Sequence, residues 1–168
     1  MEKRFVTYSE VHKGCQLIAS KIQDDGWEPD IIVAIASGGF IPARILKTYL
    51  KKDIYVVGLK RYDDDSAVHP VPIKIQWIDE VEKKLSGRRI LLVDEVDDTR
   101  VTLSYCLNEL FRYSPTEIRV AVLHQKRKEK LADFPPQVKV YQAEVLEDIW
   151  VKYPWDALDV GRHEQGLD

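Results

Sequence analysis

Two stretches, IIVAIA at 31 to 36 and RILLV at 89 to 93, constrain the chain more than anything else in it. A strand with one wet face alternates polar and apolar residues, whereas an unbroken aliphatic run is covered on both sides. Helices must therefore lie over both faces of the sheet, the arrangement of an α/β domain with a mostly parallel sheet. The rest of the chain reads accordingly. Thr7 and Glu10 form a T-x-x-E capping box, and Val11, Cys15, Ile18 and Ile22 recur at helical spacing until Asp25-Gly26. Ser37-Gly38-Gly39 breaks the first strand. Pro42 then falls in a first helical turn, and Ile41, Ile45, Leu46, Tyr49 and Leu50 give 41 to 51 an apolar stripe. DIYVVGL, at 53 to 59, is a further strand. KRYDDDSAVHPVP, at 60 to 72, is polar, acidic and twice broken by proline, and reads as a mobile loop. Ile73, Ile75 and Trp77 alternate as a short strand, and Ser86-Gly87 turns the chain. Leu103, Leu107, Leu110 and Phe111 mark a helix ending near Ser114-Pro115. EIRVAVLH (117 to 124) and VKVYQAEV (138 to 145) are two more strands, joined by the basic connection QKRKEKLADFPP. There is no internal repeat or low-complexity tract.

A chain of 168 residues is expected to form a single domain spanning 1 to 168. Its 45% hydrophobic and 32% charged residues suit a soluble globular protein, and a net charge of -3 leaves no global footprint for nucleic acid. Any anion must be held by local geometry. Cys15 and Cys106 have no Cys or His at metal-ligand spacing, which argues against a zinc site or a disulfide framework and for a reduced compartment. IIVAIA is too short to span a bilayer, and MEKRF is not followed by a signal-peptide core, so a soluble, cytoplasmic protein with no membrane partner is expected.

Directly after the second apolar run come Asp94, Glu95, Asp97 and Asp98. Two like charges about 4 Å apart repel by roughly 4 kcal/mol at an effective dielectric of about 20, so such crowding needs solvent, cations or hydrogen-bond donors. Acids are common at helix starts, where the helix dipole favours them, and a solvated loop is the plain reading. The functional reading divides the motif. Asp94 and Glu95, at the strand end, suit adjacent sugar hydroxyls or a divalent metal. The helix start at 99 to 102 offers free amides and two hydroxyls, which suit a phosphate. Asp98, between them, would face the reactive carbon of the sugar.

ILLVDEVDDTRVTL resembles the 5-phosphoribosyl pyrophosphate (PRPP) motif of the type I phosphoribosyltransferases: a hydrophobic strand, two acids, two residues, then D-T and a phosphate-cradling turn. AIASGGFIPARIL resembles that family's first loop, and EDIWVKYPWDALD is similar to the base-binding segment of its 6-oxopurine members, which act on hypoxanthine, guanine and xanthine. The resemblance covers nearly the whole chain. It implies the type I phosphoribosyltransferase fold, a central mostly parallel sheet flanked by helices with a small C-terminal or hood segment for the base. It implies a flexible catalytic loop at about 60 to 72 and a base-binding segment at about 145 to 160. It further implies purine salvage: transfer of the phosphoribosyl group from PRPP to an oxopurine, giving pyrophosphate and the nucleoside 5′-monophosphate, with Mg2+ as cofactor and a homodimer or homotetramer.

Residue roles follow from the same resemblance. Ser37, Gly38, Gly39 and Tyr62 would contact PRPP on the pyrophosphate side. Asp94 and Glu95 would hold the ribose 2′- and 3′-hydroxyls with Mg2+ nearby, and Asp98 would act near purine N7. Asp98, Thr99, Arg100, Val101 and Thr102 would cradle the 5′-phosphate. Lys126 would donate to O6, Trp150 would stack on the base, Val151 would contact it through its backbone, and Asp156 would lie near the 2-substituent. The chain departs from the family pattern twice: Arg100 stands where many members have glycine, and Arg61-Tyr62 replaces a serine-tyrosine pair. Two other classes compete with the enzyme: a non-catalytic PRPP-sensing regulator that uses KRKEK to bind nucleic acid, and a receiver-like metal site. The second leaves the tail unexplained. The run Lys126, Arg127, Lys128 and Lys130 otherwise reads as solvated surface. Trp155, Cys15 and Cys106 read as core, and His12, His69, His124 and His163 as incidental.

Overall fold

The structure is a computed structural model that describes residues 1–63, 65 and 67–167. In chain order its first half comprises β1 (Lys3–Phe5), α1 (Tyr8–Asp24), β2 (Ile31–Ala36), α2 (Phe40–Leu50), β3 (Ile54–Tyr62) and β4 (Val68–Gln76). Then follow α3 (Val81–Leu85), β5 (Arg89–Asp97), α4 (Val101–Phe111), β6 (Glu117–Lys126), β7 (Val140–Leu146), β8 (Trp150–Lys152), a 3-10 turn at Pro154–Asp156 and α5 (Val160–Glu164). Six strands form one sheet in the order β4-β3-β2-β5-β6-β7, parallel except for the antiparallel edge strand β4.

The fully apolar strands sit in the middle of this sheet, as their composition requires. Ile32 and Ala34 of β2, with Leu91 and Val93 of β5, pack beneath α1 and α2. Ile31, Val33 and Ile35, with Ile90 and Leu92, face the opposite layer, built on α3 and α4. The expected capping box starts α1: Thr7 Oγ1 accepts from the Glu10 amide at 3.2 Å, and the Glu10 carboxylate accepts from the Thr7 amide at 2.7 Å. From β2 the chain winds outward to β3, and later returns to place β5 on β2's other side. The crevice at the carboxyl ends of β2 and β5 is therefore the topological switch point, where open α/β sheets bind their ligands.

Three features differ from the sequence reading. Much of 60 to 72 is strand rather than loop: β3 runs on through Tyr62 and β4 begins at Val68, making a hairpin whose connection includes Asp63, Asp65 and Ala67. Pro70 and Pro72 are tolerated because β4 is an edge strand, where a missing N–H leaves no central ladder bond unmade. The second apolar strand extends to Asp97, so Asp94 and Glu95 lie within β5 rather than past it. β1 and β8 form a separate parallel pair, Arg4 opposite Val151, outside the main sheet. Helices α3 and α5 have five residues each, too few to show a period. Among the described residues no helix is long and apolar enough to cross a membrane.

Leu92 is fully buried in the α4-side core. Leu92→Ala is expected to lower stability by about 2–5 kcal/mol, read as a fall in the urea midpoint with an unchanged m value.

Candidate active site

A cleft of about 390 Å³ opens at the switch point. Ser37, Gly38, Arg61, Tyr62, Asp94, Glu95, Asp98, Thr99, Arg100, Val101 and Thr102 all line it, so the glycine turn, the hairpin and the acidic motif meet in one place. Gly39 stands behind the wall. A Cβ there would come within 2.6 Å of the Val93 carbonyl oxygen and 2.7 Å of that of Ile35. A Cβ on Gly38 would collide with the Glu95 carboxylate. Gly39 is thus required by the close approach of the β2 turn to β5, whereas a side chain at Gly38 would displace the Glu95 carboxylate.

The acids divide by surroundings. Asp94 is 9% exposed, and its Oδ1 accepts from the Glu95 amide at 2.9 Å. Burial, followed by the adjacent Glu95 charge, holds its carboxyl well above the usual carboxylate range. Asp97 is 0% exposed and points away from the cleft. Its Oδ2 accepts from Arg100 Nη2 at 2.6 Å and from Gln125 Nε2 at 3.1 Å, and Lys130 Nζ lies 3.7 Å from Oδ1. Lys130 also donates to the carbonyls of Asp98 at 2.7 Å, Lys126 at 2.8 Å and Asp97 at 3.1 Å, tying the acidic turn to the end of β6. Asp98 faces two lysines, Lys128 at 3.1 Å and Lys126 at 3.6 Å from Oδ1. The hydrogen bond to Asp98 raises the Lys128 pKa.

Arg100 caps α4 with φ 74, the left-handed conformation that a glycine adopts freely. Its guanidinium is committed to Asp97 and lies 4.1 Å above the Phe134 ring, so its side chain folds back from the helix start. The first-turn amides of α4 have no acceptor inside the helix and face the cleft, as an anion requires.

The expected base residues stand beside this cleft rather than in its walls. Lys126 is 8% exposed and reaches the site through Asp98. Asp156 lies in the 3-10 turn, where burial and then the Glu95 charge raise its carboxyl pKa. Val151 packs against the α1-side core. Trp150 is 57% exposed in β8, without a stacked partner in the ring contacts of the described residues.

Sequence reasoning missed Tyr153 and passed over His124. The Tyr153 hydroxyl lies 2.9 Å from His124 Nδ1 and 3.3 Å from the Glu95 carbonyl oxygen, and its ring stacks on Trp155 at 4.8 Å. Burial pushes the phenol pKa up, so it stays protonated. His124 precedes Lys126 by two residues and so shares its face of β6, a spacing signal that marked it as a site neighbour. Cys15 and Cys106 are buried free thiols, as expected.

A model of the phosphoribosyl transferase domain family matches residues 7–156. The hypoxanthine-guanine phosphoribosyltransferase of Saccharomyces cerevisiae is 38% identical, over 99% of this chain and 94% of its own. That yeast's xanthine phosphoribosyltransferase 1 is 36% identical, over 96% and 93%. A solved Neisseria gonorrhoeae structure with bound ppGpp is 39% identical with a TM-score of 0.90, over 99% of this chain and 96% of its own. The chain belongs to the phosphoribosyltransferase family. The two yeast relatives, matched nearly end to end, both bear the names of 6-oxopurine enzymes.

Removing one partner of a buried ion pair strands the other charge. Asp97→Ala should therefore cost about 3–5 kcal/mol, measurable by urea unfolding, although Asp97 does not line the cleft.

Proposed function

We infer that the protein is a purine salvage enzyme, a pentosyltransferase that moves the 5-phosphoribosyl group of PRPP onto a 6-oxopurine and releases pyrophosphate. The observation that carries this reading is the meeting of two carboxylates, an amide-rich helix start and the Asp98–Lys126 pair around one cleft. Displacement of pyrophosphate from C1′ builds positive charge on the ribose ring, so catalysis is chiefly positioning and electrostatic stabilisation.

The chain's residues divide the work accordingly. The carboxylates of Asp94 and Glu95 accept from the ribose 2′- and 3′-hydroxyls and place negative charge beside the developing cation. The first-turn amides of α4 and the hydroxyls of Thr99 and Thr102 hold the 5′-phosphate. Asp98 holds the proton at purine N7 as the C–N bond forms. Lys126, nearly buried, donates to the exocyclic O6 and selects oxopurines. Trp150 stacks on the base from an exposed position, and Asp156 reads the 2-substituent.

The site suits Mg2+. Asp94 and Glu95 bring two adjacent carboxylates to the cleft wall, and Mg2+ takes hard oxygen donors of this kind. Among the described residues no group of three or more His, Cys, Asp or Glu side chains could hold a metal. Asp94 and Glu95 would thus supply only part of its coordination shell, directly or through the ribose hydroxyls or water. When bound, Mg2+ neutralises the leaving pyrophosphate. We further propose a homodimer or homotetramer, for which the exposed Val71, Ile73 and Ile75 of β4 offer apolar surface, and a cytoplasmic location, in keeping with the two free thiols. The ppGpp bound to the Neisseria protein supports guanine among the accepted bases and binding of the same nucleotide by this chain. The yeast relatives carry transferase names, and nothing favours a non-catalytic regulator.

PRPP, Mg2+ and each of guanine, hypoxanthine and xanthine should yield a nucleoside monophosphate with at least one base; turnover of none rejects the reading. Asp98→Asn is expected to lower kcat by about 100-fold or more with little change in the KM for PRPP. Glu95→Ala should instead raise that KM by about 10- to 100-fold. Inhibition by ppGpp that is relieved as PRPP rises would place both in one cleft.

A further inference from the structure

Arg61 lines the cleft from the hairpin, where no role has yet been given to it. The β3–β4 ladder is interrupted at this residue: Lys60 pairs with Ile73, but Tyr62 pairs with Val68. The stretch opposite contains Pro70 and Pro72, which have no N–H to donate, and Arg61 is left without a cross-strand partner. Such interruptions re-aim side chains. Here Arg61 Nη1 donates to Thr99 Oγ1 at 2.9 Å, across the mouth of the α4 helix start. Its Nε is buried without a hydrogen-bond partner, and among the described residues its guanidinium pairs with no carboxylate. The other guanidinium in the cleft wall, that of Arg100, is taken by Asp97.

A cleft-lining guanidinium that donates to a neutral hydroxyl, with no carboxylate paired to it among the described residues, keeps donors for an anion. Five N–H donors in a planar fork fit a phosphoryl group best. We propose that Arg61 binds the 5′-phosphate of PRPP and of the nucleotide product, its fork closing over the phosphoryl oxygens from the hairpin side while the α4 amides hold them from the other. The inference rests on the phosphoribosyltransferase reading for its substrate, but not for its chemistry. It also accounts for the glycine position at 100 carrying an arginine without a second cation entering the cradle: Asp97 removes Arg100 from competition, and Arg61 supplies the charge.

Calorimetric titration with ribose 5-phosphate, with ribose and pyrophosphate as separate probes, tests this on the full chain. Arg61→Gln should weaken ribose 5-phosphate by about 10- to 100-fold, the worth of charge-assisted hydrogen bonds, and leave pyrophosphate unchanged. Arg61→Lys keeps the charge but not the fork and should fall between. It also answers the question should the glutamine variant fail to fold. In turnover, the KM for PRPP should rise and that for the base should not. No ribose 5-phosphate binding by the wild type, unaltered affinity in both variants, or a loss confined to pyrophosphate would overturn the assignment. Failure of the wild type to turn over any oxopurine would reject the enzymatic reading alone, because ribose 5-phosphate binding is read without it.

Discussion

The geometry of the site depends on one buried carboxylate. Asp97 has no exposed surface, and a charge in that position is tolerated only when donors surround it. Arg100, Gln125 and Lys130 supply them, and each does something else in return. Arg100, drawn toward Asp97, takes the left-handed conformation that starts α4 at Val101. Gln125 fastens β6 to the turn. Lys130 collects the carbonyls of the residues on either side of the cleft floor. A left-handed residue that a glycine would adopt freely is here held by an ion pair, so the amides of α4 are preorganised before any ligand arrives.

The same accounting changes the reading of the basic run. Lys126, Arg127, Lys128 and Lys130 look like solvated surface when taken as a string of like charges. In the fold each meets an acid: Asp98, Glu147, Asp98 with Asp148, and Asp97. The exposed Arg127–Glu147 pair contributes little stability alone, about 0–1 kcal/mol. Together with Lys128–Asp148 it holds the connection after β6 against the approach to β8. A patch whose charges are matched internally has little field left to attract a polyanion, which weakens the nucleic-acid alternative on electrostatic grounds.

How much was legible depended on whether the cause lay nearby in the chain. The aliphatic runs of β2 and β5 declare double burial by themselves, and Thr7 and Glu10 satisfy each other within one turn, so sheet class and first helix could be read directly. The meeting of the acidic motif and the glycine turn in one cleft was legible because Asp94 to Thr102 is contiguous and Ser37 to Gly39 follows a strand that had to be its neighbour. The hairpin was not, because proline marks a loop unless the strand is known to be an edge, and edge position is a property of the whole sheet. Tyr153 and the β1–β8 pair were hidden for the same reason: each acts across a separation that no local pattern records.

That division has a functional counterpart. The residues proposed for the phosphoribosyl group are built into or directly after the central strands, with the core on both sides of them. Of the residues proposed for the base, Lys126 stands on β6 of the sheet, whereas Trp150, Val151 and Asp156 lie outside it, on a segment held by the β1–β8 pair, a Tyr153–Trp155 stack and the Tyr153 contacts to His124 and Glu95. The segment is anchored through one cluster, since Tyr153 is buried in the α1-side core and Val151 and Trp155 pack against it. The two yeast relatives, at 38% and 36% identity, are about equally similar to this chain yet are named for different bases. On the proposed reading, a sugar-phosphate site at the centre of the sheet joined to a base segment outside it is an architecture in which substrate choice can change by a few residues while the chemistry stays in place.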